Sequence, residues 1–369
     1  MKKLLAVLLC VVVAVSCIAI FAACDNEVYE IAVVTDVGQL MDGGFNQGTY
    51  EGAKKYAEEH ELTYNYYQPA NGANATDNNR IAAMRQAIKN GAKVIVAPGF
   101  LQAGAMTTVA QESPEVKFIF VDGWSLTDAE NNVLSNVTAI VYKEQESGYM
   151  AGYAAVMDGY TKLGGTFGGG GSNPACNRFA YGYVQGINAA AKALDINVDV
   201  KISFNYGDNF SASNELQAQI TGWYNAGTEV VFSCGGSMIS SVKAAAELSN
   251  GKIIGVDVDQ SGLSEKVITS AVKGLSVSVE KVLGQIYNNE WDNALAGKTQ
   301  NLGASDDATG IPYDNSRFSS FTEAQYNELF NAIKAGTVEI QSDVAEDVNN
   351  AAWWNGKLAG SNINFTLDK

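Results

Sequence analysis

Residues 33–56, VVTDVGQLMDGGFNQGTYEGAKKY, decide how this chain is read. The stretch completes an apolar run, IAVVTD, whose β-branched residues read as a strand. It then opens FNQGTYEGAKKYAEEH, which reads as a helix. The turn between them holds Asp36, Gly38, Asp42, Gly43 and Gly44, then Phe45 and two amides, Asn46 and Gln47. A helix start needs one short polar side chain as a cap. Two carboxylates, a phenyl ring and two amides exceed that need, so the turn calls for a further partner.

Outward from this turn the chain alternates short β-branched runs with amphipathic stretches. LTYNYY precedes TDNNRIAAMRQAIKNG, a helix capped by Thr76 or Asp77 and stopped at Gly91. KVIVAP, KFIFVD and VLSNVTAIVY follow with a helical stretch, LQAGAMTTVAQES, after the first of them. After a helix at about 146–157 the rhythm restarts: KLGGTFGG, VDVKISFNY, EVVFSCGG and KIIGVDVD are strands separated by helices. VITSAVKG and the helix SVSVEKVLGQIYNNEW come late. Such alternation means βαβ units, parallel sheets covered on both faces, and two α/β domains of similar size. The tail from Asp343, with Trp353 and Trp354, fits no element. Ligands of open parallel sheets bind beyond the strands' carboxyl ends. Those ends read Asp36, Ala97-Pro98, Asp122, Gly168 to Gly171, Cys234-Gly235-Gly236 and Asp257, so polar and glycine residues gather where a ligand would sit.

The N-terminus has its own logic. MKKLLAVLLCVVVAVSCIAIFAAC places two lysines, an apolar run and small residues before Cys24, the layout of a secretory leader. FAAC resembles a bacterial lipobox with Cys24 as the lipidated residue; AVSC, ending at Cys17, is a second candidate, and an uncleaved membrane anchor is the plain alternative. All these readings place the remainder outside the cytoplasmic membrane. The chain carries a net charge of −16, and loss of Lys2 and Lys3 with the leader takes that to −18. Nucleic acid and anionic lipid surfaces demand a basic face and are thereby excluded as partners. Beyond the leader only Cys176 and Cys234 remain, enough for one bridge but not for a disulfide framework.

Enzymatic chemistries find little support. His60 is the single histidine and lies at a helix end, away from the strand ends, which argues against Ser–His or Cys–His catalysis. Zinc-ligand spacing is absent. GGTFGGGGSNPACNRF lacks the Lys-Ser/Thr ending of a phosphate loop. DVDQSG begins like a calcium loop, but Ile268 occupies the twelfth position, where a bidentate Glu belongs. Paired carboxylates among Asp36, Asp122 and Asp257 keep glycoside hydrolysis open. The aromatics point to binding: Phe45 and Phe179 each open a helix after a strand end, one per domain, and two facing rings would make a slot for a flat ligand.

VTDVGQLMDGGFNQGTYEGAKKY, NVTAIVYKEQESGYMAGYAA, NRFAYGYVQGINAAAK and KIIGVDVDQSG with VITSAVKG, in this order, resemble the basic-membrane-protein family, whose best-understood branch is the purine nucleoside receptor lipoproteins of ABC importers. The resemblance runs from about residue 30 to 290. It implies a type I periplasmic-binding-protein fold, two Rossmann-like parallel-sheet domains joined by three crossings around a ligand cleft. It also implies an organisation: leader 1–23, lipidated tether 24–28, N-terminal lobe 29–140 with 273–298, and C-terminal lobe 141–272 with 299–369. Phe45 and Phe179 would be stacking walls, Asp36, Asn46 and Asp122 would address a base, and Gly235, Asp257 and Lys273 would hold a ribose. Expected partners are a purine-type nucleoside, the permease and ATPase subunits, and a membrane reached through the lipid anchor alone. No cofactor, metal or catalytic residue is expected, and the protein is expected as a monomer. A sugar receptor on the same fold is the alternative ligand class. The GGGG loop, Cys176, Met41 and Gly44 depart from the family's pattern and leave the base open.

Overall fold

The computed structural model describes residues 28–368 apart from Gly38, Asp208 and Asn209; the leader, Cys17, Cys24 and all but the last residue of the tether lie outside the described residues. The first sheet contains β1 (Ile31–Val34), β2 (Tyr64–Tyr67), β3 (Val94–Pro98), β4 (Lys117–Val121), β5 (Val137–Tyr142) and the late strand β11 (Thr299–Leu302). Its order is β11-β5-β4-β3-β1-β2, every pairing parallel. Helices α1 (Phe45–Glu59), α2 (Asp77–Lys89), α3 (Ala103–Glu112) and α8 (Leu275–Tyr287) cover it. The second sheet contains β6 (Lys162–Phe167), β7 (Val198–Ser203), β8 (Val230–Cys234), β9 (Lys252–Asp257), β10 (Val267–Lys273), β12 (Thr309–Gly310) and β13 (Ile363–Asp368). Its order is β12-β10-β9-β8-β6-β7-β13, with β12 alone antiparallel. Around it lie α4 (Glu144–Met157), α5 (Pro174–Leu194), α6 (Asn214–Asn225), α7 (Met238–Glu247), α9 (Glu323–Lys334) and α10 (Ala351–Lys357).

The continuous apolar runs follow from burial on both faces. Ile31 and Val33 join one hydrophobic cluster, whereas Ala32 and Val34 join the cluster on the opposite side. In the second sheet Val230 and Phe232 face the α4–α5 side and Val231 faces α6 and α7. Helices α4 and α5 approach until their backbones touch: a Cβ on Gly148 would lie 2.3 Å from the Phe179 carbonyl oxygen, and one on Gly182 would lie 2.1 Å from that of Gln145. This contact fixes where the first turn of α5, and Phe179 with it, sits.

Within the described residues the chain passes between the sheets three times, after β5, after β10 and after β11. Sheet membership corrects the expected lobe boundaries. Val141 and Tyr142 complete β5, so the first crossing falls at Lys143 and not at 140. Lys273 is the last residue of β10 and pairs with Thr309 in the second sheet, not in the N-terminal lobe. Thr299–Leu302 pairs with Ala139–Tyr142 in the first sheet, so the third crossing follows Leu302.

One helical turn ties these crossings together. Glu146, in the first turn of α4, accepts hydrogen bonds from Ala304 N–H and Thr309 Oγ1, both at 2.6 Å. Ser147 donates to the Val272 carbonyl at 2.7 Å and accepts from Gly310 N–H at 2.9 Å. The tail also has structure: α10 buries Trp354 completely, and β13 runs parallel to β7 at the sheet edge. Cys176 and Cys234 are buried thiols with no bridge between them. No helix among the described residues is long and apolar enough to cross a membrane.

Candidate ligand-binding site

In both sheets the strand order reverses at the first strand of the unit, β1 or β6, and the loops that diverge there leave a crevice. In the first sheet that crevice lies between the loops after β1 and β3. Gly99, with φ of +96°, opens the second loop, and a Cβ there would lie 2.1 Å from Asp36 Oδ2. In the second sheet the crevice lies between the loops after β6 and β8, and Gly168 N–H donates to the Cys234 carbonyl at 2.8 Å. The two crevices share one cavity of about 460 Å³, within the usual range for a small-molecule site.

All eight residues singled out from the sequence line this cavity: Asp36, Phe45, Asn46, Asp122, Phe179, Gly235, Asp257 and Lys273. The turn that opened the analysis is held by Asp42. Its carboxylate accepts from the N–H groups of Gly44, Asn46 and Gln47 at 2.8, 3.1 and 3.2 Å, and from Asn46 Nδ2 at 3.0 Å. Asp42 thus serves the first N–H groups of α1 from outside the helix. Asn46 returns its Oδ1 to the Asp36 N–H at 2.8 Å. Its amide is therefore committed largely to shaping the turn, which narrows the base-reading role expected of it. The surplus of polar groups divides in two: Asp42 and Asn46 build the turn, and Asp36 and Phe45 face the cavity.

Lys273 is the centre of the cavity's electrostatics. Its side chain is 3% exposed, with Nζ 2.5 Å from Asp122 Oδ2, 3.6 Å from Glu144 Oε1 and 3.7 Å from Asp257 Oδ1. The same ammonium lies 5.1 Å from the Phe45 ring centroid, 5.5 Å from that of Phe179 and 5.6 Å from that of Tyr142, within cation–π reach. Burial works against this charge, but Asp122, Asp257 and Glu144 outweigh it and hold the lysine well above its ordinary value. Glu144 is itself paired at 2.6 Å with Arg178 Nε. Asp122 follows β4 and Asp257 ends β9, with φ of +57° and +67°, a left-handed conformation that aspartate tolerates better than most residues. Burial pushes both Asp257 and Asp36 up to about 7; Lys273 opposes the shift at Asp257, and Arg80 opposes it at Asp36. Asp36 Oδ1 and Asp122 Oδ1 are buried acceptors with no protein donor.

The two rings differ. Phe45 is half-buried at the start of α1, whereas Phe179 is 1% exposed and meets Phe232 edge-on at 5.9 Å, packed into the core of its lobe. The sequence reading missed a third ring. Phe210, half-buried with φ of +59°, lies over the glycine loop and lines the cavity. A Cβ on Gly168 would come within 2.4 Å of its Cδ1, and one on Gly235 within 3.0 Å. Gly168, the first of the glycine quartet, therefore makes room for this ring, and the run of bare residues was the available signal. Glu144 and Arg178 were also missed, because their relation to Lys273 arises only from tertiary packing.

A family model described as Bmp, ABC transporter substrate-binding protein PnrA-like, matches residues 29–343. The ABC transporter nucleoside-binding protein BmpA of Lactococcus lactis is 28% identical over 282 residues, covering 72% of this chain and 75% of that protein. Basic membrane protein B of Borreliella burgdorferi is 29% identical over 233 residues, 62% of this chain and 64% of that one. A solved ABC transporter solute-binding protein from Aeropyrum pernix superposes with a TM-score of 0.69 at 20% identity, over 85% of this chain and 94% of the other, and shares the type I periplasmic-binding-protein fold. With two parallel sheets, a cavity at their facing carboxyl ends and a family match over most of its length, this chain belongs to the Bmp family of PnrA-like ABC transporter substrate-binding proteins, a family of binding proteins and not of enzymes.

Proposed function

We propose that the protein captures a purine-type nucleoside between its lobes and presents it to the permease of an ABC importer, tethered outside the cytoplasmic membrane through lipid on Cys24. The observation that carries this reading is the cavity's wall chemistry. Phe45 from one lobe and Phe210 from the other bracket a space rimmed by Asp36, Asp122 and Asp257 around one buried ammonium, with Phe179 packed in the core behind it. Aromatic faces stack on a base and contribute ~1–3 kcal/mol each. Carboxylates with unmet acceptor capacity call for ligand donors, which ring N–H groups and vicinal hydroxyls supply. The nucleoside-binding description of the Lactococcus relative points the same way.

In this reading Asp36 and Asp122 meet the base, and Asp257 with Lys273 meets the ribose beside Gly235. Gly235, with φ of +141°, brings the backbone close to the sugar without a side chain. The ligand touches both lobes only when they are closed, so it stabilises the closed form by population shift. Thermal-shift and calorimetric titrations of the mature protein with guanosine, inosine, adenosine, cytidine and free ribose test this. Stabilisation by at least one purine nucleoside, and little by ribose alone, is expected. Stabilisation by a free pentose or hexose and by no nucleoside would transfer the assignment to a sugar receptor.

A further inference from the structure

Gln260 lines none of the cavity, yet it joins the cavity's two walls. It lies in the loop from β9 to β10 and is 1% exposed, a burial that a side-chain amide tolerates only when its donor and acceptor are both met. Its Oε1 accepts from the Val256 N–H at 2.9 Å, and its backbone N–H donates to Ser270 Oγ at 3.1 Å, both within the second sheet. Gly255 makes the space, since a Cβ there would lie 2.6 Å from Gln260 Oε1. The other end of the amide leaves this lobe. Its Nε2 donates at 2.8 Å to the carbonyl of Gly43, in the turn after β1 that Asp42 holds within the first lobe. Leu263 and Val258 extend the contact: a Cβ on Gly43 would lie 3.5 Å from Leu263 Cδ1, and one on Gly48 would lie 2.8 Å from Val258 Cγ1. One amide thus ties the strand end that carries Asp257 to the turn that carries Phe45. Neither Gly43 nor Gln260 belongs to a crossing, and each is fixed in its own lobe, so parting the lobes at this point has to break the bond.

We propose that Gln260 is a clasp between the lobes, whose bond to Gly43 raises the population of the closed form before a solute arrives. The bond exists only in the closed arrangement, so its net contribution goes into the closed-to-open ratio. A typical intramolecular hydrogen bond shifts such a ratio by about two- to tenfold. A solute that needs the closed form binds with an apparent affinity scaled by the fraction of protein already closed. Loss of the clasp therefore weakens every ligand by one common factor, up to the size of that shift. Gln260 touches no ligand in this scheme and acts as a positioning residue. The inference rests on the closing of the lobes in the proposed function, but on no particular solute.

The test compares the mature protein with its Gln260→Met and Leu263→Ala variants. Met keeps the length of the side chain and removes the bond. Leu263 is 40% exposed, so its truncation spares folding and removes only the apolar part of the contact, which serves where the Met variant folds poorly. Spin labels at Trp124→Cys and Tyr206→Cys, each about half exposed on the loops after β4 and β7, report the separation of the lobes by double electron–electron resonance. Cys176 and Cys234 are buried and escape the label. The ligand-free wild type is expected to show a short and a long distance. The ratio of short to long falls about two- to tenfold in Gln260→Met and by less in Leu263→Ala. In calorimetry guanosine and inosine lose affinity together, their ratio unchanged. Distances that match the wild type in both variants overturn the inference whatever happens to the melting temperature, and leave Gln260 as a support of its own loop. A ligand-free wild type found only in the open form overturns it too, as does a loss confined to one nucleoside. If the wild type binds no nucleoside, the nucleoside reading fails, while the distance measurement, which needs no solute, still decides the clasp.

Discussion

The loop after β1 and the loop after β6 occupy matching places in the two sheets and are made by opposite means. The first is full of side chains, and Asp42 accepts four hydrogen bonds that draw the turn tight and leave Phe45 and Asp36 aimed at the cavity. The second, Gly168 to Gly171, has no side chains, and its shape comes from what packs against it: the Phe210 ring, delivered by the loop after β7, at Gly168, and Asn173 and Asn349 at Gly169 and Gly171. One wall is preorganised by bonds within a single segment. The other depends on two segments staying in register. Local bonds make the first wall rigid before any ligand arrives, whereas the second is sensitive to small steric changes.

The comparison breaks most severely if the cation between the walls is removed. Lys273→Met leaves Asp122, Glu144 and Asp257 buried together, and a loss of ~3–5 kcal/mol in denaturant titration at pH 8 is expected. The deficit should shrink at pH 5, where Asp257 is protonated; unchanged stability at both pH values would falsify the role of the cluster. Gly168→Ala should cost ~1–3 kcal/mol, because its Cβ would force Phe210 aside. Gly222→Ala, in the interior of α6 where a Cβ meets nothing within 4 Å, is the control and should gain up to about 1 kcal/mol. Phe45→Ala is expected to lose ~1–3 kcal/mol of nucleoside affinity with little loss of stability. Phe179→Ala should do the reverse, since its ring is packed in the core; equal effects on affinity from both would erase the distinction between the rings. Asp42→Ala removes the bonds that hold the first wall and should cost ~1 kcal/mol, read as a lower melting temperature.

The smallest effect is in pH. Asp36 and Asp257 sit near 7 in the folded protein and near 4 in the unfolded chain, so the folded state binds more protons between those values. Their contribution to stability is complete below about 4 and is lost as pH rises through about 7. Ligand-free protein should melt a few degrees lower at pH 8 than at pH 5. A melting temperature that climbs over this interval would contradict the burial of these two carboxyls.

Much of this architecture was legible in residues 33–56 and their repeats. Strands buried on both faces must be β-branched and apolar throughout, and the ends of such strands advertise a site when they carry Asp or Gly. Asp122 and Asp257 could be found that way because a strand end is a local feature. The ion cluster could not, since Glu144 and Arg178 look like ordinary helix residues until α4 and α5 meet. Arg80 reads as one more solvent-facing charge on α2. Phe210 was obscured because nothing in GDNFSAS marks which polar-loop residue turns inward. Strand β11, TQNL, has no β-branched run, and its pairing is decided by the open edge of β5, which explains why the lobe boundary was placed before it. The tail became structured through one fully buried indole, Trp354, and a vacant edge beside β7.

The first turn of α4 carries a consequence for unloading. Glu144 reaches Lys273 in the cavity, while Glu146 and Ser147 grip the other two connections between the lobes. Swinging the lobes apart would therefore strain bonds made by the same helical turn that holds the cavity's lysine. In the proposed transport role, a membrane partner that levered on any one of the three connecting segments would disturb the cavity's charges without ever entering the chamber.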